Sequence, residues 1–427
     1  MILNKKKEEL SFTSVLLLGI NGIIGSGIFL LPGSLYQQAG IYSLVAILFA
    51  GVSTLLIALN YAVMSSKIDE DGGAWIYANT AFGPDVGFQV GWFTWFLGVI
   101  TISTEIAAFL TTLKGIFPAV AQRSLYIIIA TVIIGILAII NLFGPGATKF
   151  IDNISSTLKI SMLLVFVIGG LILFVKHPVA LPNTVKTSTG GTVDAFTTSF
   201  YMFTGFSFLP IAAKEMRNAE KNLPRALITV ILGVTAIYLL TQFITMFLLG
   251  SGLVNEKLPV AIAFEHVVGA VGKMIVLGGM LVSTLGVAIA VSFDSPVELA
   301  SLSTEKDLLP AAFGKTNRFQ APILSVIVTA GLAIALVASG SYLFLVNLIV
   351  FSSFIQYIAT ILALLKLRKD PDLPKGMHLI GGDLVPLLAL LIIVVLFVRF
   401  TFVTYVIGVA FAIIGGLIYL VHKRAMP

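Results

Sequence analysis

Runs of about 17 to 28 apolar residues alternate with short polar connections along the whole chain. A helix needs about 20 apolar residues to cross roughly 30 Å of hydrocarbon, and tilt lengthens the requirement. The runs fall at 12–38, 42–66, 84–112, 124–143, 153–175, 193–214, 225–250, 271–296, 322–339, 342–366, 384–400 and 402–422. They predict about twelve transmembrane helices. The longest polar connections, 176–192, 251–270, 297–321 and 367–383, are each of about 25 residues or fewer, too short for a core of their own. The pattern is that of an all-α integral membrane protein with a single domain over 1–427.

Glycine interrupts two of these runs near their middle, at Ile24-Gly25-Ser26-Gly27-Ile28 and at Phe203-Thr204-Gly205-Phe206-Ser207. It frees the backbone from the helical ladder, and an unsatisfied amide or carbonyl in hydrocarbon costs several kcal/mol unless a solute, ion or protein group meets it. Paired breaks in the two halves of one membrane chain point to a secondary transporter. Each broken run is followed by a long apolar one, the pattern of an inverted repeat, although identity between the halves is too weak to count as a sequence repeat.

Composition agrees with lipid as the solvent: 58% of residues are hydrophobic and 11% charged, with a mean hydropathy of +1.05. The absence of cysteine excludes disulfides and thiolate chemistry. The first run is long and follows Lys5-Lys6-Lys7, which argues against a cleavable signal peptide. Basic residues collect at the amino terminus and in alternate connections, among them Lys67, Lys149, Lys214, Arg217, Lys221, Arg225, Lys306, Lys315, Arg318, Lys366, Arg368, Lys369, Lys375, Lys423 and Arg424. By the positive-inside rule those connections and both termini face the cytoplasm, so the net charge of +6 reports multi-pass topology in the cell membrane, not nucleic-acid binding.

At the first break, the amides of the half-helix from Ile28 point toward the bilayer midplane, where the positive end of the dipole suits a carboxylate. Carbonyls near Ile23 and Ile24 suit an ammonium, and an α-amino acid supplies both charges. The blander reading treats Gly19, Gly22, Gly25 and Gly27 as small residues for tight helix packing. At the second break, Thr204 and Gly205 open the backbone below Tyr201 and Phe203, with Ser207 and Pro210 starting the next half-helix. Lys159 and Glu105 are charges inside predicted spans, where an ionised group costs about 2.5 to 3.5 kcal/mol on insertion scales. Snorkelling competes with a functional role for Lys159. For Glu105, recognition of a substrate's side-chain cation or proton carriage competes with pairing to Lys114 or a watery vestibule. Trp92 and Trp95 read as packing or interface residues. The acids Asp69, Glu70 and Asp71 and the Lys214 to Arg225 segment read as loop charges, within reach of Asp294 and Glu298. Four scattered histidines, His177, His266, His378 and His422, make neither a metal set nor a catalytic one, so no enzyme, metal or cofactor is expected. A channel is the more serious rival, but no symmetric pore segment or ring of charge is visible.

The stretch Gly25-Ser26-Gly27-Ile28-Phe29-Leu30-Leu31-Pro32-Gly33 resembles the first-helix signature of the amino acid, polyamine and organocation transporters. Three matches follow in order: Gly72-Gly73-Ala74-Trp75-Ile76-Tyr77, Thr157-Leu158-Lys159, and the segment from Glu215-Met216-Arg217 to Leu223-Pro224-Arg225-Ala226. The resemblance covers nearly the whole chain. It is weakest in the last two spans and at Pro296-Val297-Glu298, where many relatives carry an arginine. It implies a leucine-transporter-like fold: a 5+5 inverted repeat (12–175 and 193–366), spans 1 and 6 broken, and two peripheral helices (384–422). It implies amino acid transport by alternating access, with substrate held by Ile23, Ile24, Gly25, Ser26, Gly27, Ile28, Tyr201, Phe203, Thr204, Gly205 and Ser207, and Tyr201 as an aromatic gate. Lys159 matches the lysine that replaces a sodium ion in relatives, its ammonium bridging carbonyls near Gly22 and Ile23 and a hydroxyl of span 8, Ser283 or Thr284. Sodium independence follows, with proton symport and amino acid exchange both open. Neutral, cationic and polyamine substrates also remain open.

Overall fold

The computed structural model describes residues 11–68, 70, 72–144, 148–178, 190–207, 209, 218–339, 341–379 and 381–425. Lys5 to Lys7, Asp69, Asp71, Pro210 and the part of the fourth motif up to Arg217 lie outside them. Among the described residues the secondary structure is helical apart from an isolated bridge between Thr316 and Pro322. In chain order the helices are α1 (Phe12–Ile23), α2 (Gly27–Leu30), α3 (Pro32–Ala39), α4 (Ser43–Lys67), α5 (Ala74–Phe82), α6 (Pro84–Lys114), α7 (Arg123–Asn141) and α8 (Thr148–Lys176). They continue as α9 (Gly191–Tyr201), α10 (Ala219–Leu249), α11 (Pro259–Val268), α12 (Ala270–Thr304), α13 (Ile323–Ser339), α14 (Tyr342–Leu367), α15 (Leu384–Phe397) and α16 (Phe402–Ala425), with one further helical turn, Ala311–Gly314, between α12 and α13.

Among the described residues eight helical stretches are long and apolar enough to cross a membrane, against about twelve predicted. The difference has a local cause in each case. The first and sixth runs are interrupted at their glycines, and the ninth and eleventh form helices of 17 and 14 residues. Two short helices, α5 and α11, arise in connections read from sequence as loops. With them the halves share one order: a broken helix, a long helix (α4, α10), a short one (α5, α11), and three more (α6 to α8, α12 to α14).

Burial follows membrane rules. Ile128, Val132, Ile136 and Ile139 of α7, four residues apart or nearly so, are each more than half exposed, as are Ile168 and Ile172 of α8. A stripe of that kind would aggregate in water and is solvated in lipid. Charged and amide side chains lie inside instead: Lys159 is 0% exposed, Glu105 2% and Gln242 0%.

Helix α6 is the hub. Its Gly98 and Gly91 let Ser295 and Leu302 of α12 approach so closely that a methyl group at either glycine would collide. Trp95 donates its Nε1–H to Thr329 Oγ1 of α13 at 2.9 Å, and Trp92 donates to Phe411 O of α16 at 3.0 Å. The Phe411 ring stacks on Phe96 with centroids 3.7 Å apart. Both tryptophans are packing residues: Trp92 fastens the last helix to α6 and Trp95 fastens α13 to it. Pro296 lies inside α12, and because proline has no N–H the carbonyl of Ser292 loses its helical donor. Asn141 of α7 replaces it, donating Nδ2–H to Ser292 O at 2.5 Å.

Candidate functional site

The first break lies between α1 and α2. Ile24 still donates its N–H to Ile20 O at 3.0 Å, then Gly25 and Ser26 carry the chain out of the ladder to Gly27. Side chains from other helices meet the groups this frees. Lys159 of α8 directs its ammonium at the carbonyls of Ile24 (2.6 Å) and Asn21 (3.1 Å). Tyr238 of α10 holds its hydroxyl 3.2 Å from Ile23 O. Beyond the break, Oε1 of Glu105 in α6 accepts the Ser26 hydroxyl at 2.9 Å and lies 3.5 Å from the Ser26 amide nitrogen.

The second break follows α9. Met202, Phe203 and Thr204 donate their N–H groups to carbonyls three residues back, tightening the turn, and Gly205 then takes φ +100°. That torsion favours glycine, and a Cβ at 205 would overlap the Gly22 carbonyl. The two breaks therefore touch backbone to backbone. Tyr238 joins them a second time, its hydroxyl 2.9 Å from Met202 O. Tyr201 donates to Glu105 Oε1 at 3.2 Å, while the hydroxyls of Tyr201 and Tyr342 each lie 3.1 Å from Ser26 Oγ. Ser26, Glu105, Tyr201 and Tyr342 thus bind the first break to α6, α9 and α14.

A cavity with about 1040 Å³ of empty space, counting its open mouth, extends from the breaks. Thr94, Leu97, Gly98, Thr101 and Glu105 form its wall on one face of α6, and Val287, Val291, Asp294, Ser295 and Glu298 form another on α12. Tyr61, Gln356 and Gly72-Gly73-Ala74 complete it.

Of the residues singled out from sequence, Ile23, Gly25, Gly27, Tyr201, Thr204, Gly205, Ser207 and Glu105 line this cavity. Ile24, Ser26, Ile28 and Phe203 are not among its lining residues. Ile24 is turned to Lys159 and Ser26 to Glu105. Ile28 is buried, and Phe203 packs its ring on Tyr238 with centroids 5.2 Å apart. Ser207 belongs to the turn after the break and Leu209 is helical, while residues 208 and 210–217, where the next half-helix is expected, lie outside the described residues.

Lys159 does bond helix-1 carbonyls, but those of Asn21 and Ile24, one residue to either side of the Gly22 and Ile23 pair read from sequence. A helical carbonyl's direction turns by about 100° per residue, so a one-residue shift decides which carbonyls a fixed ammonium can reach. The hydroxyls of span 8 do not complete the set. Thr284 donates to Met280 O at 2.9 Å in its own helix, and Ser283 Oγ is buried without a hydrogen-bond partner. Glu105 is not paired with Lys114, whose ammonium sits 4.5 Å from the centroid of the Tyr126 ring. Its second oxygen, Oε2, is buried and accepts no hydrogen bond. The loop acid Glu70 pairs with Lys306 at 2.7 Å.

Sequence reasoning missed Tyr238, Tyr342, Thr101 and Gln356. Tyr238 left one local signal, a hydroxyl in the middle of an apolar run that needs a partner. The others left none.

Over residues 10–422 the sequence matches the family model described as amino acid permease. It is 32% identical over 393 residues to an uncharacterized transporter of Mycobacterium tuberculosis, covering 85% of this chain and 81% of that one. It is 26% identical to the methylthioribose transporter of Bacillus subtilis over 98% of this chain and 94% of the other. The arginine/ornithine antiporter of Latilactobacillus sakei is 29% identical over 77% of this chain and 71% of its own length. The family match runs through both breaks, Glu105 and Lys159, and the matched proteins are transporters, not enzymes. The chain belongs to the amino acid permease family.

Proposed function

We propose that this permease is a sodium-independent secondary transporter that moves an amino acid across the cytoplasmic membrane by alternating access. The observation that carries the proposal is the meeting of two broken helices, Gly205 against Gly22, at one end of a cavity large enough for such a solute. The substrate's amino and carboxylate groups bind at the breaks, on the carbonyls near Ile23 and Met202 and the amides from Gly27 onward. Lys159 does the structural work of a coupling ion, because its ammonium already neutralises the carbonyls of the first break. The shared order of elements in the two halves supports the 5+5 inverted repeat, with α15 and α16 peripheral.

Orientation comes from the basic connections, which put both termini and the Gly72 to Ala74 segment on the cytoplasmic side. The cavity then faces the cytoplasm, and the cluster of Ser26, Glu105, Tyr201 and Tyr342 closes the path outward. Counterflow in proteoliposomes tests the proposal: unlabelled amino acid inside should drive accumulation of its labelled form. Running it at two pH values and with an empty lumen separates proton symport from exchange. Gly25→Leu, placed where even a Cβ would lie 3.3 Å from Glu105 Oε1, should abolish binding in a protein that remains monodisperse. Undiminished binding would reject the site.

A further inference from the structure

Glu105, Asp294 and Glu298 line the cavity, and its described lining residues include no lysine, arginine or histidine. Lys159, the buried ammonium beside the first break, is not in the wall and is engaged by the carbonyls of Asn21 and Ile24. Walls of low dielectric carrying carboxylates concentrate cations and repel anions.

The acids stand at two depths. α6 and α12 run antiparallel with Gly98 beside Ser295 and Gly91 beside Leu302. That register sets Glu298 level with Trp95, about ten residues and about 15 Å from Glu105 along α6. Glu298 and Asp294 lie toward the Gly72 to Ala74 end, and Glu105 lies at the breaks. A solute meets the two levels in succession.

Glu105 supplies an independent observation. It is 2% exposed, and its Oε1 is occupied by Ser26 and Tyr201 while its Oε2 has no hydrogen-bond partner. A buried carboxylate oxygen without a donor is costly in a dry interior, and an arriving ammonium or guanidinium relieves that cost. The ammonium at the break, Lys159, is committed to carbonyls before it, whereas Glu105 covers the Ser26 amide beyond it and keeps Oε2 for a further donor.

We propose that the transported solute carries net positive charge, as a cationic amino acid or a diamine. The acidic wall of α12 at Glu298 draws it in and Glu105 receives an ammonium or guanidinium at the breaks. The inference rests on the cavity being the transport path.

The test is counterflow by the full chain in proteoliposomes preloaded with arginine, lysine, putrescine, leucine or glutamate. Arginine, lysine or putrescine should be carried at least tenfold faster than leucine or glutamate. The arginine and putrescine arms tell whether the cation needs a carboxylate. Glu298→Gln should raise KM for the cation about three- to tenfold at low ionic strength, with the difference shrinking in about 0.5 M salt, as screening requires. Glu105→Gln should slow cation counterflow at least tenfold. Leucine carried as fast as the cations overturns the inference and leaves amino acid transport standing, whereas counterflow with none of the panel overturns both. A wild-type rate in Glu105→Gln, or an unchanged KM in Glu298→Gln, also overturns the corresponding role.

Discussion

Asn141→Leu should destabilise the protein only while residue 296 is proline. Pro296 offers no N–H to Ser292 O, and the amide of Asn141 meets that carbonyl at 2.5 Å. Ser292 is 4% exposed and Asn141 6%, so water does not replace a lost donor. Leaving a buried carbonyl unsatisfied costs about 1 to 3 kcal/mol, while hydrogen bonds between membrane helices average about 0.6 and reach about 1.7 kcal/mol. Asn141 also carries an unsatisfied burden, since its Oδ1 is buried without a partner, and leucine of similar volume removes it. The net loss should be about 1 kcal/mol. Pro296→Ala restores the helical N–H, so Asn141→Leu in that background should be neutral or stabilising, giving a coupling energy of about 1 kcal/mol. The assay is a double-mutant cycle by thermal or detergent denaturation of the purified protein. Equal cost in both backgrounds would refute the reasoning and mean that Asn141 acts by packing.

Three further substitutions follow from the breaks. Tyr238→Phe keeps the ring contact with Phe203 but removes the hydroxyl near Ile23 O and Met202 O; because those carbonyls border the cavity, substrate affinity should fall only about fivefold, about 1 kcal/mol. An unchanged Kd would show that the hydroxyl is not part of the site's support. Lys159→Met should abolish counterflow by leaving the carbonyls of Asn21 and Ile24 without their cation, with Lys159→Arg retaining a fraction; full activity in Lys159→Met would remove the ammonium from the mechanism. Gly205→Ala should lower thermal stability as well as transport, since φ +100° and the Gly22 carbonyl both reject a Cβ, and a protein of wild-type stability would mean that the breaks separate freely.

The breaks were legible in the sequence because glycine acts on its own backbone. Gly25 and Gly27 frame the first interruption, and Thr204 and Gly205 fall in the second, wherever their neighbours lie. That Lys159 and Glu105 sit inside apolar runs was equally legible, but snorkelling for the one and a watery vestibule for the other stayed open until the structure buried both. The number of spans was less so. Length and apolarity do not reveal that the helix of the eleventh run stops at 14 residues, or that α5 and α11 coil in connections.

Partners across the chain were not legible. Ser26 and Tyr342 are separated by 316 residues, and Asn141 and Ser292 by 151. Nothing local distinguishes these side chains from others that merely fill space. Sequence alone determined a membrane chain with two opened helices and two charges within its spans, because apolar length and glycine freedom are properties of a segment. The tertiary structure decided that the openings touch, that Lys159 takes the carbonyls of Asn21 and Ile24, and that Glu105 turns to Ser26 and not Lys114. Those outcomes depend on helix rotation and register, which only packing against the other helices sets.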